Sequence, residues 1–222
     1  MKAFDDIADE WDEYRRAPAT VMKLFLPLIP KGAAVLDAGC GNGRNLIPIA
    51  QKAKFAWGID TSQKMLEYCA KNVAEGKLGK KTRLLKASVL KIPLADDSVD
   101  AVVCIGVLHH LRTESARFRA LKEFGRVLRP GGLFLIAVWN ERQRRFEGKV
   151  GEGAKGRNRT VKWKRRDGIV VRRFHHFFGE NELAGLIRRA GLGVEKTFFE
   201  KGGARMAEQG AKNLCAIAVK GA

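Results

Sequence analysis

The sequence predicts an α/β fold: a mostly parallel sheet of seven strands with helices on both faces and a basic insertion after the fifth strand. Three observations carry this expectation. Apolar stretches of strand length alternate with amphipathic stretches of helical period along most of the chain, the pattern of successive βαβ units. Ala101–Ile105 (AVVCI) is apolar at every position, as expected of a central parallel strand buried on both faces. Val35–Leu46 (VLDAGCGNGRNL) passes from an apolar strand through an acid and three alternating glycines into a helix, the kind of tight turn at which open parallel sheets present their ligands.

Taken in order, residues 1–28 read as a helical lead-in divided by Pro18 and Pro27. Ala33–Asp37 is the first strand, followed by a helix to about Ala53 with Pro48 early in it. The second strand ends at Asp60, and Ser62 caps a helix to about Glu75 whose Met65, Leu66, Cys69 and Val73 share one face. Thr82–Lys86 is a short third strand and Ala101–Ile105 the fourth. Thr113 or Ser115 opens a helix with a core stripe of Phe118, Leu121, Phe124 and Leu128, ended by Pro130-Gly131-Gly132, before the fifth strand at Leu133–Trp139. Asn140 to about Gly168 is irregular and basic. Within it, Arg166-Asp167-Gly168 reads as a hairpin turn pairing Val161–Arg165 with Ile169–Phe174. A last helix spans Glu180–Ala190, closed by Gly191. Val194–Phe199 and Leu214–Val219 complete the sheet, the final strand antiparallel.

The glycine turn excludes one common ligand class. A dinucleotide site needs G-x-G-x-x-G, and here the third glycine, Gly43, comes too early. Asp37 at the mouth of the turn would also repel phosphate, whereas it suits a ligand carrying an amino group and a sulfonium. Asp60, about twenty residues further on, is placed to reach the two hydroxyls of a ribose lying across the turn. With the later LRPGGLFLI (Leu128–Ile136), these features resemble the class I, Rossmann-like S-adenosylmethionine-dependent methyltransferases. The resemblance implies S-adenosylmethionine as cofactor. It also implies a cofactor-binding set of Asp37, Gly39, Cys40, Gly41, Gly43, Arg44, Asn45, Asp60, Thr61, Met65, Ser88, Val89 and Ile105. Ser88 stands where the family usually has an aspartate bonded to the adenine amino group, and Val89 or Leu90 would flank that ring.

At 222 residues the chain has the length of one domain, 1–222, able to bury a sizeable core. Its four cysteines are isolated from one another, so neither a metal site nor a disulfide framework is expected, and reduced thiols suit a cytoplasmic protein. The acidic N-terminus does not read as a secretory leader, and no apolar run reaches membrane-spanning length. Net charge is the unusual property: +18, from 42 Lys+Arg against 24 Asp+Glu. Thirteen of these cations, against four acids, fall within residues 141–175. The insertion 140–178 is therefore expected to engage a polyanion, with nucleic acid ahead of a merely solvated basic loop.

Three further segments narrow the resemblance. Ile7-Ala8 with Arg16-Ala17-Pro18, the VWN ending of the fifth strand (Val138–Asn140), and VKWKRRDGIVVRRFHHFFGENEL (Val161–Leu183) are similar to the tRNA wobble-uridine methyltransferases that esterify a 5-carboxymethyl group. An ionised carboxylate is already a nucleophile, so catalysis rests on desolvation and alignment, and Arg16, His110 and His176 are the candidates to orient it. Trp163, Phe174, His175 and His176 are candidates to stack an unpaired base, though the phenylalanines also suit packing the hairpin. The resemblance implies tRNA as partner, and a small zinc-binding activator subunit on the sheet edge beside Leu84 and Leu85. Two other readings stay open: methylation of a small apolar molecule, since quinone-biosynthesis enzymes also carry an LHH segment, and a non-catalytic RNA-binding module.

Overall fold

The computed structural model describes residues 2–143 and 156–221. The lead-in comprises three short helices, α1 (Lys2–Asp5), α2 (Ala8–Tyr14) and α3 (Met22–Phe25), with a 3-10 turn at Leu26–Leu28. Then follow β1 (Ala34–Ala38), α4 (Leu46–Lys52), β2 (Phe55–Asp60), α5 (Gln63–Glu75), β3 (Thr82–Lys86), β4 (Val99–Ile105), α6 (Glu114–Val127) and β5 (Leu128–Trp139). The remainder is β6 (Asn158–Lys164), β7 (Val170–His176), α7 (Glu180–Arg189), β8 (Leu192–Lys201), β9 (Ala204–Met206) and β10 (Asn213–Lys220).

The main sheet has the order β3-β2-β1-β4-β5-β10-β8-β9. β1 to β5 pair in parallel, and β10 inserts antiparallel between β5 and β8. The sheet thus has eight strands rather than the expected seven. Gly202 and Gly203, at φ of 68° and 89°, turn the end of β8 back on itself and let Ala204–Met206 pair with it. α6 also ends earlier than expected. Leu128 is already extended and pairs with Val99, and Pro130-Gly131-Gly132 forms an irregularity inside β5 before Leu133 meets Ala101.

Strand alternation explains why both faces are covered. Val102 and Cys104 of β4 pack with Leu121 and Phe124 of α6 and with Leu183 and Ile187 of α7. Ala101 and Val103 face the opposite way, toward Ile49 of α4, Cys69 and Val73 of α5, and Phe25 of α3. Helix starts follow their caps: Ser62 Oγ accepts from the Met65 N–H at 3.2 Å, and Thr113, not Ser115, caps α6 through the Ala116 N–H at 3.1 Å.

The hairpin β6–β7 forms as read from Arg166-Asp167-Gly168, with Lys164 opposite Val170, and pairing extends back to Asn158 and His176. It is separate from the main sheet and docks on α2. Trp163 Nε1 and the Arg166 N–H both donate to Glu10, at 2.9 and 2.7 Å, and Arg166 pairs with Glu13. Arg144, Arg145, Lys149 and Lys155 of the basic insertion lie outside the described residues. Among the described residues no helix is long and apolar enough to cross a membrane.

Candidate active site

The strand order reverses between β1 and β4, and a cavity of about 700 Å³ opens at the carboxyl ends of the strands there. Its floor is the glycine turn after β1. The Gly39 and Cys40 N–H groups both donate to the Ile59 carbonyl, at 2.8 and 2.9 Å, clamping the turn over β2. Gly41 and Gly43 serve different ends. A Cβ on Gly41 would meet open space, so its absence bares backbone to the cavity. A Cβ on Gly43 would lie 2.7 Å from Cys69 Sγ, so that glycine lets α5 pack close. Both have positive φ, 54° and 84°.

Two acids underlie this end. Asp60 Oδ2 accepts from the Gly41 N–H at 3.0 Å and Oδ1 from the Ser62 N–H at 2.9 Å. Burial raises its pKa and these backbone donors oppose the rise. Each oxygen retains a lone pair for a hydroxyl donor. Asp37 is 1% exposed, and its Oδ2 has no hydrogen-bond partner among the described residues. Burial foremost, then the Asp60 charge, pushes its carboxyl up to about 7, with Arg44 pulling the other way. Gly39, Cys40, Gly41, Arg44, Asn45, Asp60, Thr61, Met65, Ser88, Val89 and Ile105 all line the cavity. Asp37 and Gly43 lie behind its surface. Ser88 Oγ accepts from the Leu90 N–H at 3.2 Å.

The other end is aromatic, imidazole-rich and cationic. His109 and His110 follow β4, and His175 comes from β7. The His110 Nδ1–H donates to the Phe174 carbonyl at 3.0 Å and the His175 Nδ1–H to the Arg173 carbonyl at 3.1 Å, leaving both Nε2 atoms bare. His109 Nδ1 instead accepts from the Trp139 N–H at 3.3 Å, which places its proton on Nε2. His175 stacks on Trp139 at 4.3 Å and 18°. Desolvation lowers all three imidazole pKa values, to about 4 for His110 and about 2 for His175, so the cluster is neutral at pH 7. One nitrogen from each ring lies within 4.8 Å of the others, a grouping the sequence analysis did not anticipate. With one of the three protonated at Nε2 and the Arg173 cation acting on all of them, it is a poor cage for a metal cation.

Two expected catalytic residues are placed elsewhere. Arg16 Nη2 pairs with Asp12 Oδ2 at 3.0 Å, its side chain is 59% exposed, and it does not line the cavity. Asp12 is the buried hub that also accepts from Asn42 and Asn72, both at 2.9 Å, tying α2 to the glycine turn. His176 is held between Asn158 Oδ1 (2.7 Å) and Glu182 Oε1 (2.6 Å), also away from the cavity. Their sequence neighbours Arg15 and His175 line it, as do His110, Arg173, Trp11 and Phe4. The signal that would have found them is strand period two: Val171, Arg173 and His175 share the buried face of β7. Phe177 and Phe178 are buried packing residues. Several insertion arginines are paired within the protein, Arg157 with Glu141 and Glu182 and Arg165 with Asp167, whereas Lys162, Lys164 and Arg172 are exposed on the hairpin.

An open parallel sheet with β10 inverted beside β5, and a glycine turn backed by two acids, defines the class I methyltransferase fold. The CcbJ methyltransferase of Streptomyces caelestis shares it, with a TM-score of 0.78 at 18% identity over 99% of this chain and 98% of that one. A S-adenosylmethionine-dependent methyltransferase of Clostridium acetobutylicum gives 0.76 at 14% identity over 99% of each chain. Residues 36–136 match the family described as "Methyltransferase domain". A protein of Encephalitozoon cuniculi described as a candidate methyltransferase is 31% identical over 196 residues, 86% of this chain and 85% of that protein. The chain belongs to the methyltransferase family. It is also 35% identical over 142 residues to a tRNA (carboxymethyluridine(34)-5-O)-methyltransferase of Arabidopsis thaliana, across 64% of this chain and 33% of that protein. The corresponding Mus musculus enzyme is 34% identical over 138 residues, 62% of this chain and 19% of that protein. The matched region is thus about a fifth to a third of the length of these curated relatives.

Proposed function

We propose that this enzyme transfers a methyl group from S-adenosylmethionine to the carboxymethyl side chain of a wobble uridine in tRNA, forming an ester. The observation that carries the reading is one cavity with acids beneath one end and, at the other, neutral imidazoles and a guanidinium that has no acid partner among the described residues.

The residues fit the cofactor. The orphaned Asp37 Oδ2 can answer a cationic group, Asp60 has lone pairs for ribose hydroxyls, and the bare backbone at Gly41 admits close approach. Ser88, Val89 and Ile105 provide a hydroxyl and apolar walls for a base, and Met65, Thr61, Cys40, Asn45 and Arg44 complete the lining. Bound there, S-adenosylmethionine supplies an electrophilic methyl carbon on a sulfonium. The protein's own part is to strip water from an anionic acceptor and hold it still. Neutral imidazoles at His109, His110 and His175 suit this, because no proton need be removed from a carboxylate. The cationic lining disfavours an apolar small molecule as acceptor.

The exposed Lys162, Lys164 and Arg172 of the hairpin would contact RNA phosphates, and the insertion 140–178 as a whole would be the RNA-binding element. β3 is one of the two edge strands of the sheet, with Leu84 and Leu85 half-buried on it, and is where we place the small zinc-binding activator subunit in a cytoplasmic complex. The test is incubation of the purified chain, with and without the activator, with S-adenosylmethionine and tRNA bearing 5-carboxymethyluridine, followed by nucleoside mass spectrometry. Appearance of the methyl ester supports the reading, and intact 5-carboxymethyluridine under both conditions refutes it.

A further inference from the structure

Arg173 occupies an unusual position. It lies on the inward face of β7, 8% exposed, with its guanidinium among the rings of Trp163 (5.4 Å), Phe4 (5.9 Å) and Trp11 (5.9 Å). Its Nε is buried with no hydrogen-bond partner among the described residues. Burial lowers its pKa to about 10, so it stays charged at neutral pH, and the other charge acting on it is a second cation, Arg15. The Arg15 guanidinium sits over the same Trp11 ring at 5.6 Å. Both residues line the cavity. Aromatic faces attract a guanidinium, but they offer no acceptor for its N–H groups. A buried cation with no acid partner among the described residues, sharing an aromatic ring with a second cation, is costly unless a ligand brings the missing negative charge.

We propose that Arg173, backed by Arg15, is the subsite that holds the acceptor's carboxylate and makes the enzyme select an ionised acid over its neutral amide. This rests on the proposed acceptor chemistry and adds to it the residue that reads the charge. The Phe4 ring links this guanidinium to the imidazoles: it lies 5.9 Å from the Arg173 guanidinium and 5.0 Å from the His110 ring, so an anion seated on the guanidinium would lie near the neutral imidazoles.

The test uses S-adenosylhomocysteine-loaded enzyme and two anticodon stem-loop RNAs, one carrying 5-carboxymethyluridine and one 5-carbamoylmethyluridine. One charge-assisted pair predicts that wild type prefers the acid about 10- to 100-fold. Arg173→Gln and Arg173→Met should lose that preference through weaker acid binding, with amide binding and S-adenosylhomocysteine affinity unchanged. Because no acid among the described residues pairs with Arg173, and the lost attraction of the rings is offset by no longer burying a charge, both variants should melt close to wild type. Added 5-carboxymethyluridine nucleoside should raise the melting temperature of wild type but not of the variants. If neither RNA binds but the nucleoside still stabilises wild type in an Arg173-dependent way, the subsite stands and the tRNA reading fails. Equal binding of acid and amide by wild type would overturn the proposal. So would variants that lose S-adenosylhomocysteine affinity while keeping the acid preference.

Discussion

Replacing Asp37 by asparagine should make the ligand-free protein more stable and less able to bind its cofactor. The carboxyl is 1% exposed, one oxygen has no partner, and its pKa stands near 7 against about 3.9 in an unfolded chain. Because the folded pKa is raised, this group's contribution is fully present below about pH 4 and is lost as pH rises through 7. About three pKa units correspond to roughly 4 kcal/mol of destabilisation above pH 7, an upper bound since local relaxation offsets part of it. Asp37→Asn removes the charge at nearly constant volume. It should therefore gain about 2–4 kcal/mol over wild type at pH 8, on the order of 5–15 °C in melting temperature for a chain of this size. The assay is thermal unfolding of both proteins from pH 4 to pH 9, with S-adenosylhomocysteine affinity by calorimetry at pH 8. The stability gap should be near zero at pH 4, widen to pH 7 and then stay constant, while affinity drops by at least tenfold. A variant that melts below wild type at pH 8, or a gap independent of pH, would refute the reasoning that Asp37 is held at a cost for a cationic ligand.

The histidine cluster predicts the opposite pH trend. His175, with its pKa lowered to about 2, stabilises the neutral form above pH 6.5 and loses that contribution as pH falls. His175→Phe, which keeps the stack on Trp139, should lose about 1 kcal/mol less per pH unit than wild type in urea unfolding between pH 6 and 5. Arg15→Gln should cut methyl transfer at least tenfold, whereas Arg16→Gln should leave turnover within about twofold and cost about 1–2 kcal/mol, because the Arg16 guanidinium is 59% exposed while the buried Asp12 keeps its Asn42 and Asn72 donors; parallel rate and melting measurements decide. Gly43→Ala places a methyl against Cys69 Sγ in a left-handed conformation and should destabilise by about 2–4 kcal/mol. Gly41→Ala meets open space, so it should melt within about 2 kcal/mol of wild type yet bind S-adenosylhomocysteine much more weakly.

The parts of the fold governed by local rules were legible. Ser62 and Thr113 are caps, AVVCI is a strand covered on both faces, and Asp167-Gly168 turns the hairpin, because each depends on neighbours in sequence. The glycine-turn end of the cavity was legible for the same reason: that turn and Asp60 follow two adjacent strands. The imidazole-rich end was not, since it is assembled from α2, the turn after β4, and a hairpin inserted after β5. That Arg15 rather than Arg16, and His175 rather than His176, lines the cavity depends on which side of each segment meets it. Asp12 captures Arg16 four residues on, and the buried Val171 turns Arg173 and His175 inward, leaving His176 to Glu182. The basic composition of the insertion likewise concealed that Arg157, Arg165 and Arg166 are spent on internal acids.

The most direct test of the account is a crystal of the enzyme with S-adenosylhomocysteine and a 5-carboxymethyluridine stem-loop. The account places the ribose hydroxyls on Asp60 and the carboxylate on Arg173, with His110 and His175 beside it. A carboxylate lying in solvent or on Arg16, with Arg173 touching neither ligand, would contradict it.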